Sequence, residues 1–149
     1  MSSGQQLCTF FVEGLYFGVE VEKVQEVIRY QEMTRVPLAP DVIGGLINLR
    51  GQIVTAVDLR RRLDLRERSA KEFPMNVVIR TDDGAMSLLV DDIGDVVEVD
   101  EQSFENAPDT LTGVTRELIH GVYKLEKQLL LLLDTERAVS SAVVAAHTA

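Results

Sequence analysis

The chain is predicted to be an all-β protein with short helices, on three observations. Its β-prone segments are short and are separated by turn signals, among them Glu13-Gly14, Arg50-Gly51 and Asp82-Asp83-Gly84. Aromatic residues make up only 5% and tryptophan is absent, so the core must come from Val, Leu and Ile, whose β-branched members favour strands. About eight or nine strands without regular crossover helices point to barrels or a sandwich, not to a parallel α/β sheet. With 149 residues the chain can bury roughly 70% of its unfolded surface, enough for a core without staples.

Leu7 to Val12 and Tyr16 to Val19 read as a hairpin about Glu13-Gly14. Val21, Val24, Val27 and Ile28 then fall at spacings of three and four, which predicts a short helix over 20–29 with one buried stripe. Val36-Pro37-Leu38-Ala39-Pro40 must be a loop, because proline lacks the donor that a central ladder needs. Gly45 to Leu49 and Gln52 to Leu59 are two antiparallel strands with a tight connection or bulge at Arg50-Gly51. From Arg60 to Phe73 the chain is charged and aperiodic, which predicts a turn of helix and then an exposed, disordered loop ending at Pro74.

Met75 to Thr81 and Ala85 to Val90 form the clearest hairpin, since the Asp-Gly between them supplies positive backbone angles. A strand around Val96, Val97 and Val99 follows, then a loop over Ser103 to Thr115, then a last strand pair at Leu118 to Lys124 and Gln128 to Leu133. Asp134 suits the N-cap of a closing helix, with Glu136 near its positive end and Ala138, Ala142, Val143 and Ala146 on one face. No sequence repeat is visible, and spacing alone does not choose two small barrels over a single sandwich.

A net charge of −9 repels a phosphate backbone, so nucleic acid is not an expected partner. Arg60-Arg61-Arg62, with Arg66 and Arg68 nearby, reads as a solvated surface. The longest purely apolar run, Leu129 to Leu133, is far short of the roughly 20 residues of a membrane helix. The start, Met1 to Gln6, lacks the basic-then-apolar plan of a secretory signal. A lone Cys8 forms no internal disulfide, which fits a reducing compartment, and a cytoplasmic protein without direct membrane insertion is expected.

The residues give little support for chemistry. A nucleophile needs a base within reach, and only His120, in a strand-like run, and His147, near the C-terminus, are available. Cys8 reads as a small core residue. Asp91, Asp92, Asp95, Asp100 and Glu101 lack calcium-loop spacing and alternate with Ile93, Val96, Val97 and Val99 as solvent-facing strand positions do. Gly44-Gly45 lacks the further glycines and lysine of a phosphate loop. No catalytic residue, metal site or cofactor is therefore expected. Asn48-Leu49-Arg50-Gly51 is more informative, because Glu26 on the predicted helix could pair with the Arg50 guanidinium and fix helix against barrel.

Lys23-Val24-Gln25-Glu26-Val27-Ile28, the Pro37 to Pro40 loop, Gly45 through Val54 and Val57-Asp58-Leu59 together resemble the CheW family of chemotaxis coupling proteins in order and spacing. Leu89 to Val96 resembles the family's second landmark, and Gly121-Val122 through Leu129 to Asp134 its final hairpin and helix entry. The likeness spans Leu7 to Val139. It implies two SH3-like, five-stranded β-barrel subdomains packed around an intervening core, intertwined as one domain over residues 5–140, with 141–149 as the end of a C-terminal helix. It also implies an adaptor that couples chemoreceptors to the histidine kinase CheA. Such an adaptor would bind the kinase's regulatory domain through barrel ends and the receptor's cytoplasmic tip in a groove between barrels, at membrane-associated arrays.

Carried over by position, Val24 and Gly45 match receptor-contact positions, and Glu26 and Arg50 match an acidic and basic pair beside that groove. Asn48, Leu49, Gly51 and Asp58 complete the motif in a structural role. Gln52 and Thr55 depart from the family's frequent apolar residue and proline, which leaves open a flagellar or a parallel chemosensory pathway. A CheV-type regulator would need a receiver domain, for which the short stretch after Leu133 leaves no room. A small-molecule or metal-binding barrel would have to rest on the acidic cluster.

Overall fold

The computed structural model describes residues 4–82 and 84–139. The strands are β1 (Gly4–Val12), β2 (Leu15–Glu20), β3 (Val24–Ile28), β4 (Ile43–Leu49), β5 (Gln52–Asp58), β6 (Met75–Thr81), β7 (Gly84–Val90), β8 (Asp92–Asp100), β9 (Phe104–Glu105), β10 (Ile119–Lys124) and β11 (Leu129–Leu133). Short helices lie at α1 (Leu59–Arg62), α2 (Gly113–Glu117) and, after Asp134, at residues 135–139. The proposed helical positions Ala142, Val143 and Ala146 lie outside the described residues, as does Asp83 in the β6–β7 turn.

Among the described residues the strands form two sheets, one of six strands in the order β8-β1-β2-β11-β10-β9 and one of five in the order β3-β6-β7-β5-β4. In the first, hairpin β1–β2 joins hairpin β10–β11 through the parallel pair β2–β11. In the second, hairpin β6–β7 joins hairpin β4–β5 through the parallel pair β5–β7. After each of the hairpins β1–β2 and β6–β7 the chain crosses to the other sheet, so β3 pairs with β6 and β8 with β1. The halves therefore share one topology and exchange a strand, a repeat of architecture beneath a sequence that shows none.

Neither sheet closes into a barrel by a continuous ladder, and the larger has six strands where five were expected. Each curls until its exchanged segment reaches the far edge. From β8 the chain runs through a 3-10 turn at Glu101–Ser103 into β9, which pairs with β10. Beyond β3, Thr34 and Leu46 of β4 exchange backbone hydrogen bonds of 2.9 and 2.8 Å. Both meeting points need glycine. A Cβ on Gly45 (φ 154°) would lie 2.9 Å from the Thr34 carbonyl oxygen, and one on Gly121 would lie 2.5 Å from that of Glu105 and strike the Phe104 ring.

Apolar residues sort into three clusters that follow this plan. The largest lies between the sheets and includes Phe10, Phe17, Val19, Leu131 and Leu133 facing Val77, Ile79, Leu88 and Val90. Smaller clusters fill the curl of each sheet, Leu7, Tyr16, Val99, Tyr123 and Leu130 in one and Ile47, Leu49, Val54 and Val78 in the other.

Two expectations are corrected. The helix predicted over 20–29 is a 3-10 turn at Val21–Lys23 followed by strand β3. Val24 and Val27 pair with Ile79 and Val77, and a bulge between Val24 and Glu26 inserts one residue, so a spacing of three keeps both valines on one face. The bulge imitates a helical period. Second, the arginine-rich stretch 60–73 is not simply exposed: α1 forms as expected, but Arg60 is 4% exposed and the loop behind it is pinned by ion pairs.

Candidate functional site

Glu26 and Arg50 come together although their strands lie at opposite edges of the five-stranded sheet. Arg50 and Gly51 both take positive φ, 51° and 89°, in a two-residue turn closed by the Gly51 N–H donating to Asn48 Oδ1 at 2.8 Å. That turn projects the Arg50 guanidinium across the open seam, where it donates to the Glu26 carboxylate. The acidic partner thus stands on a strand and not on a helix, but the pairing expected from the sequence is present. Arg50 is exposed and Glu26 largely buried, so the pair is a strap on the rim with one charged end accessible.

The other two groove candidates are placed differently. Val24 packs on the opposite face of β3 from Glu26, against the edge of the inter-sheet core, with the more exposed Val27 beside it on that face. Gly45 is buried beneath residues 33 and 34, so its position serves the seam itself. The remaining motif residues have structural duties: Asn48 closes the turn, Leu49 is core, and Asp58 caps α1 by accepting from Arg60 N at 3.0 Å.

Beyond the Thr34 bridge the seam opens into a cleft of about 820 Å³, lined by Tyr30, Met33, Asn48 and Ile53 among others. Ile53 is 61% exposed, and Tyr30 packs against the exposed Phe73 with ring centroids 4.9 Å apart. Tyr30 and Ile53 were not singled out by sequence reading, and Val27 was read only as part of the buried stripe of a helix, whereas it stands exposed on β3. The alternation within β5 could have placed Ile53 on the face opposite buried Val54, but only the bulge in β3 explains Val27.

A second polar constellation was missed altogether. The Arg60 guanidinium donates to both Asp91 carboxylate oxygens at 2.8 Å and pairs with Glu13 and Glu72 at 3.1 Å. Arg68 joins Asp91 at 2.9 Å to Asp58 at 2.7 Å, and the Glu13 N–H donates to Asp91 Oδ2 at 2.7 Å. Burial works to raise the Asp91 carboxyl, but the Arg60 hydrogen bond, the Glu13 N–H and the charges of Arg68 and Arg60 outweigh it and hold the group below its usual value. Asp91 thus departs from its acidic neighbours, since Asp92, Asp95, Asp100 and Glu101 are exposed as expected.

His120 stands 3.7 Å from Asp134 on a half-exposed strand position, and His147 lies outside the described residues. Burial raises the Cys8 thiol above its usual value, away from the thiolate that nucleophilic chemistry requires. Among the described residues no group of His, Cys, Asp and Glu is arranged to hold a metal ion, and no helix is long and apolar enough to cross a membrane.

The family model for the CheW-like domain matches residues 6–143. The chain is 30% identical over 140 residues to the chemotaxis protein CheW of Treponema pallidum (strain Nichols), covering 91% of this chain and 82% of that protein. It is 32% identical over 134 residues to that of Bacillus subtilis (strain 168), covering 90% and 86%. Among solved structures, the scaffolding protein TtCheW from Thermoanaerobacter tengcongensis matches with a TM-score of 0.78 at 25% identity, covering 87% of this chain and 88% of that one.

Proposed function

Since the chain belongs to the CheW family, we propose that it is an adaptor that couples chemoreceptors to a CheA-type histidine kinase in a bacterial chemosensory array. The observation that carries this reading is the family match over nearly the whole chain, on a structure with a ready-made rim for a helical partner. Val24 and Val27 offer an apolar edge, and Arg50, anchored by Glu26 yet exposed, offers a charge that can orient the partner. The receptor's cytoplasmic tip is assigned to this rim and the kinase's regulatory domain to a separate surface. The protein works in the cytoplasm and reaches the membrane through these partners. It acts by bringing two proteins together and carries no reaction of its own.

The test is reconstitution with a CheA-type kinase and a receptor cytoplasmic fragment. Binding of both is expected in the micromolar range, and receptor-dependent kinase activation should need this protein. Arg50→Glu should lower receptor affinity by about tenfold, because it turns the strap into a like-charge contact with Glu26 and reverses the exposed charge. Its melting temperature should stay close to that of the unaltered protein, as an exposed ion pair contributes little. Unchanged activation by the folded variant would remove Arg50 from the receptor contact, and failure to bind either partner would end the adaptor reading.

A further inference from the structure

We propose that the Arg60–Asp91 joint is the positioning element of the groove: it fixes the angle between the two sheets at one crossover and thereby sets how the edge bearing Val24 and Val27 is presented. The use of that edge rests on the adaptor reading; the joint itself rests on geometry.

Three segments meet at the joint. Arg60 comes from α1, behind β5 of the five-stranded sheet; Glu13 comes from the β1–β2 turn of the six-stranded sheet; Asp91 is the residue at which the chain passes from β7 to β8. The Arg60 guanidinium is 5% exposed in its side chain and every nitrogen is engaged, Nε and Nη2 by Asp91, Nη1 by Glu13 and the Arg66 carbonyl at 3.4 Å, and Nη2 also by Glu72. A planar fork fixes direction as well as distance. Buried ion clusters add little net stability over apolar packing, so the distinctive consequence of this one is geometric.

The repeated topology supplies an internal control. Asp58 before α1 corresponds to Asp134 before helix 135–139, where Asp134 Oδ1 accepts from Arg137 N at 3.1 Å. At the place of Arg60 the second half has an exposed glutamate, Glu136. The crossing from β7 to β8 corresponds to that from β2 to β3, through Glu20 to Lys23. There the Glu20 Oε2 is buried without a hydrogen-bond partner, its nearest cation being Lys23 at 3.7 Å. One crossing is locked by a guanidinium fork that ties groups from both sheets; at the other, which leads directly into Val24, Arg80 Nη1 of β6 donates to the Glu22 and Val24 carbonyls at 3.0 Å, a contact from within the five-stranded sheet that leaves the angle between the sheets unset.

Distances between paired spin labels test the joint directly. In a Cys8→Ser background, labels at Gln25→Cys and Glu98→Cys report across the sheets, and labels at Gln25→Cys and Gln52→Cys report within one. Asp91→Asn should broaden the first distribution at least about twofold and leave the second unchanged, and it should lower affinity for the receptor fragment by about tenfold while kinase-domain affinity stays within about twofold. Arg60→Lys should behave likewise despite keeping its charge, because one ammonium cannot span the carboxylates.

A loss of stability without broadening, or an equal fall in both affinities, would overturn the proposal. If Asp91→Asn does not fold, Glu13→Gln should give the same broadening on a smaller scale, and its absence there overturns the proposal equally. Should the unaltered protein bind no receptor fragment, the adaptor reading fails while the label distances still decide the joint.

Discussion

Replacing Gly45 by alanine is expected to destabilise the protein by about 4 kcal/mol. The φ of 154° lies in a region open almost only to glycine, which costs another residue about 1–3 kcal/mol. The added Cβ would stand 2.9 Å from both the Thr34 carbonyl oxygen and Met33 Cβ, and relief of that collision must part the bridge to Leu46. Its two backbone hydrogen bonds are worth about 1 kcal/mol each. With a urea dependence of about 2 kcal/mol per molar for a domain of this size, the unfolding midpoint should fall by about 2 M. The variant stays folded in buffer if the protein has the ordinary stability of about 5–15 kcal/mol. Urea titration followed by circular dichroism, beside receptor-fragment binding, reads both effects. A midpoint within about 0.5 M of the unaltered protein, combined with lost binding, would refute this reasoning and make Gly45 a contact residue.

Asp91 ties stability to acidity. Its carboxyl is held below the usual value in the folded protein, so its contribution is present in full above the unfolded value of about 3.9 and is lost as pH falls through the folded one. The urea midpoint of the unaltered protein should exceed that of Asp91→Asn by a constant margin near neutrality, and the margin should shrink below about pH 4; a margin that does not change with acidity would contradict the ion-pair account. Leu38 is 87% exposed with φ at 66°, so Leu38→Asn should raise the thermal midpoint, by about 0.5–1 kcal/mol of stability, since asparagine tolerates that backbone better.

Hairpins were the most legible part of the fold, because a dipeptide such as Arg50-Gly51 reports its own backbone angles wherever the chain places it. β3 was misread for a local reason: the extra residue between Val24 and Glu26 changes a strand's period of two into a spacing of three. Arg60 was misread for a distant one, since two of the groups that bury it, Glu13 and Asp91, are far along the chain and become its neighbours only when both sheets form, while Glu72 comes from the loop that follows α1. The Glu26–Arg50 pair was legible as a partnership but not as a strap between sheet edges, which depends on how the sheet curls. The doubled architecture leaves few shared residues, glycines at 45 and 121 and aspartates at 58 and 134, because each half keeps the glycine that lets backbones touch and the cap that ends a strand, and varies the rest.

The exchange of strands between the sheets has a consequence for synthesis. As the chain leaves the ribosome, β3 must wait for β6, whose Asn76 pairs with Ile28, and β2 cannot gain its parallel neighbour until Leu131 and Leu132 have been made. Neither half can finish without residues from the other, so the nascent chain carries unpaired edges through most of translation. Refolding of this chain should accordingly be slow for its size and concerted, with no half-folded species gaining stability by itself.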